Sequence, residues 1–141
     1  MAELVAPTTL EPSADVLAAF IADNSLRPWQ PCTVDCCMFL AAWAMWLGHP
    51  DPAARLRGTY CDEAGFRRIT ACGVVPVVER CVASIKGRRI SAPVLGAVAV
   101  IGARTNTEHQ FGAIFDGQRW LVRFTNRVGH MAASPLAIWK I

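Results

Sequence analysis

The chain has 141 residues, 53% of them hydrophobic and 18% charged, with a formal net charge of +3. Soluble domains average about 45–50% apolar and about 25% charged, so this chain has surplus apolar surface for one core and is not a disordered segment. The charge is mild and no Lys/Arg run occurs, so nucleic acid binding has no electrostatic footprint. The longest apolar stretch, residues 36–47, is short of the roughly 20 residues of a membrane span, and no membrane insertion is expected. Met1-Ala2-Glu3-Leu4 offers neither a basic n-region nor an apolar h-region, so no secretory signal is expected. Six cysteines without such a signal read as thiols rather than a disulfide framework.

In chain order, residues 1–12 carry two prolines and read as an extended arm ahead of a single domain over residues 13–141. Ser13 is the expected N-cap of a helix over 14–22, with Val16, Leu17, Phe20 and Ile21 on one face. Residues 24–34 read as a loop. Apolar residues recur at helical spacing over 35–47, and Gly48 then Pro50 stop that helix. Asp51-Pro52 predicts a further short helix ending at Gly58, and two more are expected over 62–72 and 75–84. The second half changes character. Residues 96–102 read as a buried strand, and residues 110–115 and 119–125 as a hairpin joined at Asp116-Gly117. Residues 136–141 read as a last strand. Helices first and an antiparallel sheet second predict an α+β domain.

The chemistry centres on Asp35-Cys36-Cys37-Met38-Phe39-Leu40. A helix starting here puts Cys36 in its first turn, where free N–H groups and the macrodipole stabilise an anion. Only a thiolate attacks a carbonyl, so the position favours a nucleophile. Cys36, Leu40, Trp43 and Leu47 share one face, and Cys37 falls off that stripe. The bland alternative is that both cysteines are small core hydrophobes. Of three histidines, His49 lies at the far end of the helix, about 20 Å away at 1.5 Å per residue. His130 sits in a glycine-flanked segment and reads as a solvated loop residue. His109, at the mouth of the first hairpin strand, is the best base. A thiolate metal site from Cys32, Cys36, Cys37 and Cys61 lacks the usual zinc spacing, no phosphate-binding glycine loop is present, and no metal or organic cofactor is expected.

These residues, in this order, resemble the NlpC-type cell-wall peptidases, the small papain-like cysteine hydrolases of bacteria and phages. Trp29 precedes a short loop, and Asp35, Cys36 and Phe39 match the family's Asp-Cys-Ser-Gly-Phe-Val helix start. Gly96-Ala97-Val98-Ala99-Val100 resembles its Gly-Asp-aliphatic strand, with Ala97 for the acid, and His109-Gln110-Phe111-Gly112-Ala113-Ile114-Phe115 resembles its His-x-Gly-Ile-Tyr strand. The chain is most similar to a divergent subgroup from tail gene clusters of alphaproteobacterial phages and gene transfer agents. That subgroup also carries the segments Gly48-His49-Pro50-Asp51-Pro52-Ala53-Ala54, Arg57 to Tyr60, and Ala137-Ile138-Trp139-Lys140-Ile141. The resemblance implies a papain-like fold, with the cysteine helix packed on a C-terminal antiparallel sheet.

It also implies a tail-associated peptidase that cleaves amide bonds of peptidoglycan stem peptides during cell-wall penetration. Such a protein is made in the bacterial cytoplasm, carried at the virion tail tip or baseplate beside hub, tip or fibre proteins, and acts in the host periplasm. Cys36 would be the nucleophile, its backbone N–H part of the oxyanion hole, and His109 the base. Asp35 and Trp29 would support the site, and Asn126, Thr125 or Gln110 would orient the imidazole. Register departs from the family. The family places its His two residues before the Gly, and here Gln110, which cannot act as a base, holds that place. Strand alternation sends His109 to the opposite face unless a bulge corrects it. The alternative is a catalytically decayed domain of the same fold serving as a structural or docking part of the tail tip, through a surface rich in Trp and Arg.

Overall fold

The computed structural model describes residues 9–30, 35–60, 62–71, 73–103 and 106–141, except for the side chains of Cys36, Glu63, Phe66, Ala103 and residues 106–109. Most of the predicted arm, together with Cys32, Cys61 and Cys72, lies outside them. Among the described residues the chain is α+β, with helices α1 (Ala14–Ser25), α2 (Cys36–Trp46), α3 (Glu63–Ile69) and α4 (Val74–Ser84). Strands β1 (Arg88–Ile90), β2 (Val98–Ala103), β3 (Asn106–Phe115), β4 (Trp120–Arg123), β5 (Val128–Met131) and β6 (Ala133–Lys140) form one sheet in the order β1-β6-β2-β3-β4-β5. Every pairing is antiparallel. No helix is long and apolar enough to cross a membrane among the described residues.

Local chemistry fixes the helix ends. Ser13 Oγ accepts the Val16 N–H at 3.2 Å, so α1 starts where the capping rule puts it. It runs on to Ser25 instead of stopping at 22, because its last carbonyls find a partner in the sheet. The buried Arg123 of β4 donates to the Asn24 backbone carbonyl, to Asn24 Oδ1 at 3.0 Å and to the Arg27 carbonyl. These are the orphan acceptors a helix C-terminus leaves behind. Burial pulls the Arg123 guanidinium below its ordinary pKa, yet it stays charged at any physiological pH.

Helix α2 departs from the single-stripe expectation. Leu40, Trp43 and Leu47 join the main core as expected, but Cys37 also packs against that core rather than lying off it. Met38 and Ala41 face a second cluster with Ala53 and Tyr60. A helix apolar nearly all round is covered on several sides, and among its described side chains Met45 and Trp46 are the exposed ones. Trp43 Nε1 donates to the Gly96 carbonyl at 2.9 Å, which ties the helix centre to the start of β2. Gly96 has a φ of 84°, and a Cβ there would meet Pro12 at 2.3 Å, so this site takes only glycine.

The expected helix over 51–58 is absent. That segment forms consecutive turns, because the Asp51 side chain takes the Ala53 N–H and Arg57, and a single i→i−4 bond, Arg57 N–H to the Ala53 carbonyl, stands among i→i−3 bonds. Strand β3 begins earlier than expected and β4 ends earlier. The edge strands β1 and β5 are additions to the predicted set. His130, read as a loop residue, lies in β5 with Nε2 2.9 Å from Asp116 Oδ2, across the end of the β3–β4 hairpin.

Alternation splits the sheet into two buried faces. Val98, Val100, Ile114, Leu121 and Trp139 meet the helices. Ala99, Ile101, Ala113, Val122 and Ile138 pack on one another. No described helix covers this second face. The ladder is interrupted by register shifts at Val100/Ile101 and Gly102/Ala103.

Replacing Arg123 with Met keeps the volume but takes the Arg123 donor from Asn24 Oδ1 and the Arg27 carbonyl. By the worth of charged hydrogen bonds the cost should be about 3 kcal/mol, read as a lower urea midpoint at unchanged m. A shift under a third of that size would show that the α1–β4 tie is not structural.

Candidate active site at the start of α2

Asp35 is buried and extended at the N-cap of α2, where its Oδ1 accepts the N–H groups of Cys37 at 3.0 Å and Met38 at 2.7 Å. Its Oδ2 accepts the Tyr60 hydroxyl at 2.6 Å. The carboxylate is thus a cap on the helix that Cys36 begins, held from outside by a residue 25 positions away. Asp35, expected as site support, is in the structure the N-cap that holds the backbone at the start of α2. The Cys36 backbone is the first residue of α2; its thiol lies outside the described atoms. Trp29 stands half-buried between α1 and α2.

The segment that leads to Tyr60 is braced by a second carboxylate. Asp51 holds Arg57 through two oxygens, at 2.5 and 3.2 Å, and also accepts the Ala53 N–H at 3.0 Å. Burial raises the Asp51 pKa, but the Arg57 hydrogen bond, the Ala53 N–H and the Arg57 charge together outweigh it and leave the carboxyl below its ordinary range. Two stretches that carried the family resemblance, around Asp51 and from Arg57 to Tyr60, therefore work as one clamp that presents Tyr60 to Asp35.

On the sheet side, β2 and β3 pair regularly from Val98↔Ile114 to Gly102↔Gln110, and the next pair is Ala103↔Asn106. Thr107, Glu108 and His109 intervene at that shift, so simple alternation does not govern His109. The His109 side chain lies outside the described atoms, as Cys36's does. Gln110, before the shift, shares the helix-facing side with Gly112 and Ile114. Its Oε1 accepts the Val74 N–H at 3.1 Å, the first N–H of α4, whose N-cap Gly73 has no side chain to offer. Gln110 Oε1 accordingly caps α4.

Thr125 and Asn126 do not reach the site as strand residues. Strand β4 ends at Arg123, and both are exposed in the β4–β5 turn closed by Phe124 N–H to the Arg127 carbonyl at 2.7 Å. His49 sits half-buried beyond the far end of α2, where burial lowers its pKa. Cys37 packs on the core, and Cys32 and Cys61, the other members of the conceivable thiolate set, lie outside the described residues.

Two structural partners escaped the sequence reading. Tyr60 is the chain's one tyrosine, and an N-cap carboxylate with a second oxygen to satisfy was the available hint. Arg123 has five donors and no acceptor, so on an inward strand position it needed carbonyls, which a helix C-terminus supplies.

A family model described as a domain of unknown function (DUF6950) matches residues 10–141, and the chain belongs to that family. No curated protein and no solved structure matches the chain.

Gln110→Ala should cost about 1 kcal/mol, the usual worth of an N-cap, and speed amide hydrogen exchange at Val74 selectively. Uniform exchange across α4 would remove the capping role. For Asp51, a depressed folded pKa means that its contribution is complete above the ordinary carboxylate value and is lost as pH falls through the lower folded value. Thermal melts from roughly pH 6 to 2 should therefore show a smaller acid-side loss in Asp51→Asn than in the parent. Parallel acid limbs would show that the Arg57 clamp adds nothing.

Proposed function

We propose that this protein is a cysteine hydrolase of papain-like, NlpC-type architecture that cleaves amide bonds in peptidoglycan stem peptides, as a component of a phage or gene-transfer-agent tail. Cys36 is the nucleophile. Its place as the first residue of a carboxylate-capped helix packed on an antiparallel sheet supports that role, since a helix N-terminus favours thiolate over thiol. His109 takes the thiol proton. The sulfur attacks the carbonyl carbon, the C–N bond breaks, the amine leaves with the proton from His109, and water then hydrolyses the thioester. The observation that supports this reading most is the register shift between Gly102 and Ala103, because Thr107, Glu108 and His109 fall at it and strict strand alternation does not apply there.

A decayed site with a purely structural role at the tail tip is the second reading. It is favoured by Gln110, which holds the family's histidine place and is committed to the N-terminus of α4. The Trp-rich docking surface expected for it is reduced, since Trp43, Trp120 and Trp139 are core residues and Trp46 is the exposed one.

Purified Gram-negative peptidoglycan should be digested by the parent protein, with stem-peptide fragments identified by mass spectrometry. Cys36→Ala should release none, and His109→Ala should be slower by about 10²–10⁴-fold, the typical worth of general acid–base catalysis. Silence from the folded parent beside an active control peptidase would establish the structural reading, and activity in Cys36→Ala would remove Cys36 as the nucleophile.

A further inference from the structure

Away from the start of β3, two adjoining hollows lie between α4 and the turns that follow α2. The inner one is a recess of about 40 Å³ with an apolar lining that includes Met38, Ala41 and Val78. By the measure that one water needs about 10–15 Å³, it accommodates a short alkyl group. The outer one is an open cleft of about 590 Å³, whose rim carries Arg55, Arg80, Asp51 and Ser84. Pro52, Leu56, Val77 and Cys81 line both. The charges at the rim are unbalanced. Asp51 is already held by Arg57, whereas Arg55 and Arg80 are exposed and make no ion pair with any described residue.

We propose that this cleft binds an aliphatic carboxylate, with its branched or short alkyl group in the inner recess and its carboxylate between Arg55 and Arg80. The chemistry follows from the arrangement. An apolar recess rewards burial of an alkyl group at about 25 cal/mol per Å², and guanidinium groups bind carboxylates through paired N–H donors. A neutral ligand would leave both cations unused, and a larger aromatic acid would not enter the recess. Free short-chain acids and the C-terminal residue of a peptide ending in Leu or Val share this chemistry. The site is argued from α4 and the turns that follow α2 and does not rest on the hydrolase reading.

The test is a titration of the ¹⁵N-labelled full chain with isocaproate, N-acetyl-leucine and the primary amides of both, followed by amide shifts. Saturable shifts at Leu56, Val77 and Cys81 are expected with the acids, and about tenfold weaker binding with the amides, a difference of about 1.4 kcal/mol. Tighter binding of N-acetyl-leucine than of isocaproate would identify the peptide terminus as the source, and the reverse the free acid. The double variant Arg55→Gln/Arg80→Gln changes two exposed residues, so it should fold normally and lose the preference for acids. Equal binding of acids and amides, no saturable shift with either acid, or an unchanged preference in the double variant would each overturn the proposal.

Discussion

Helix α2, Cys36-Cys37-Met38-Phe39-Leu40-Ala41-Ala42-Trp43-Ala44-Met45-Trp46, has no charged side chain, and the rest of the molecule is arranged to cover it. The sheet takes Leu40 and Trp43, α1 brings Phe20 against Phe39 and Trp43, and the turns after residue 50 bring Ala53 and Tyr60 against Met38 and Ala41. Burying a single large apolar side chain is worth about 1.5–3 kcal/mol, so each of these layers is held by the same helix. Moving any of them exposes part of it.

A helix buried this deeply has ends that water does not serve, and the solution is the same three times over. A side chain distant in sequence or held from a distance closes each end that faces the interior. Asp35 closes the start of α2 and is itself gripped by Tyr60, Arg123 of β4 closes the end of α1, and Gln110 of β3 closes the start of α4. These ties fasten each helix to a neighbouring element, where packing alone would allow sliding. They also occupy polar groups near the candidate site. Asp35 and Gln110, both read as catalytic support from sequence, each hold a helix start.

Local signals were legible in the sequence wherever a short-range rule decides. Ser13 and Asp35 are N-caps as their types demand, Gly48 ends α2, and Asp116-Gly117 closes the β3–β4 hairpin, with Asp116 Oδ1 accepting the N–H groups of Gln118 and Arg119. What stayed hidden depends on partners far along the chain. The last turn of α1 exists because of a β4 arginine. Residues 51–58 look helical until the Asp51 carboxylate is committed to Arg57. The strand Val128–Met131 has little pattern of its own and is defined by pairing with Trp120–Arg123. Thr125 and Asn126 were placed by counting along a strand, and counting fails where a strand stops early. The decisive irregularity, between Gly102 and Ala103, is a property of two strands together and leaves no mark in either.

That irregularity and the Gln110 cap belong to one constraint. In a regular strand, neighbouring residues point to opposite faces, so a residue that caps a helix on one face commits its neighbour to the other. Gln110 is committed to the helix side by α4, and the sheet's far side at this level is the apolar cluster around Ile101 and Ala113. An imidazole sent there would be buried among hydrocarbon, at the cost of an unsatisfied ring N–H. The register shift opposite residues 107–109 breaks the alternation that would impose this penalty. A bulge at this point lets adjacent polar residues coexist at the end of a strand whose remaining length is buried on both faces. The hydrolase reading adds one further demand, that His109 turn to the same side as Gln110, and a shift of register is the backbone feature that permits it.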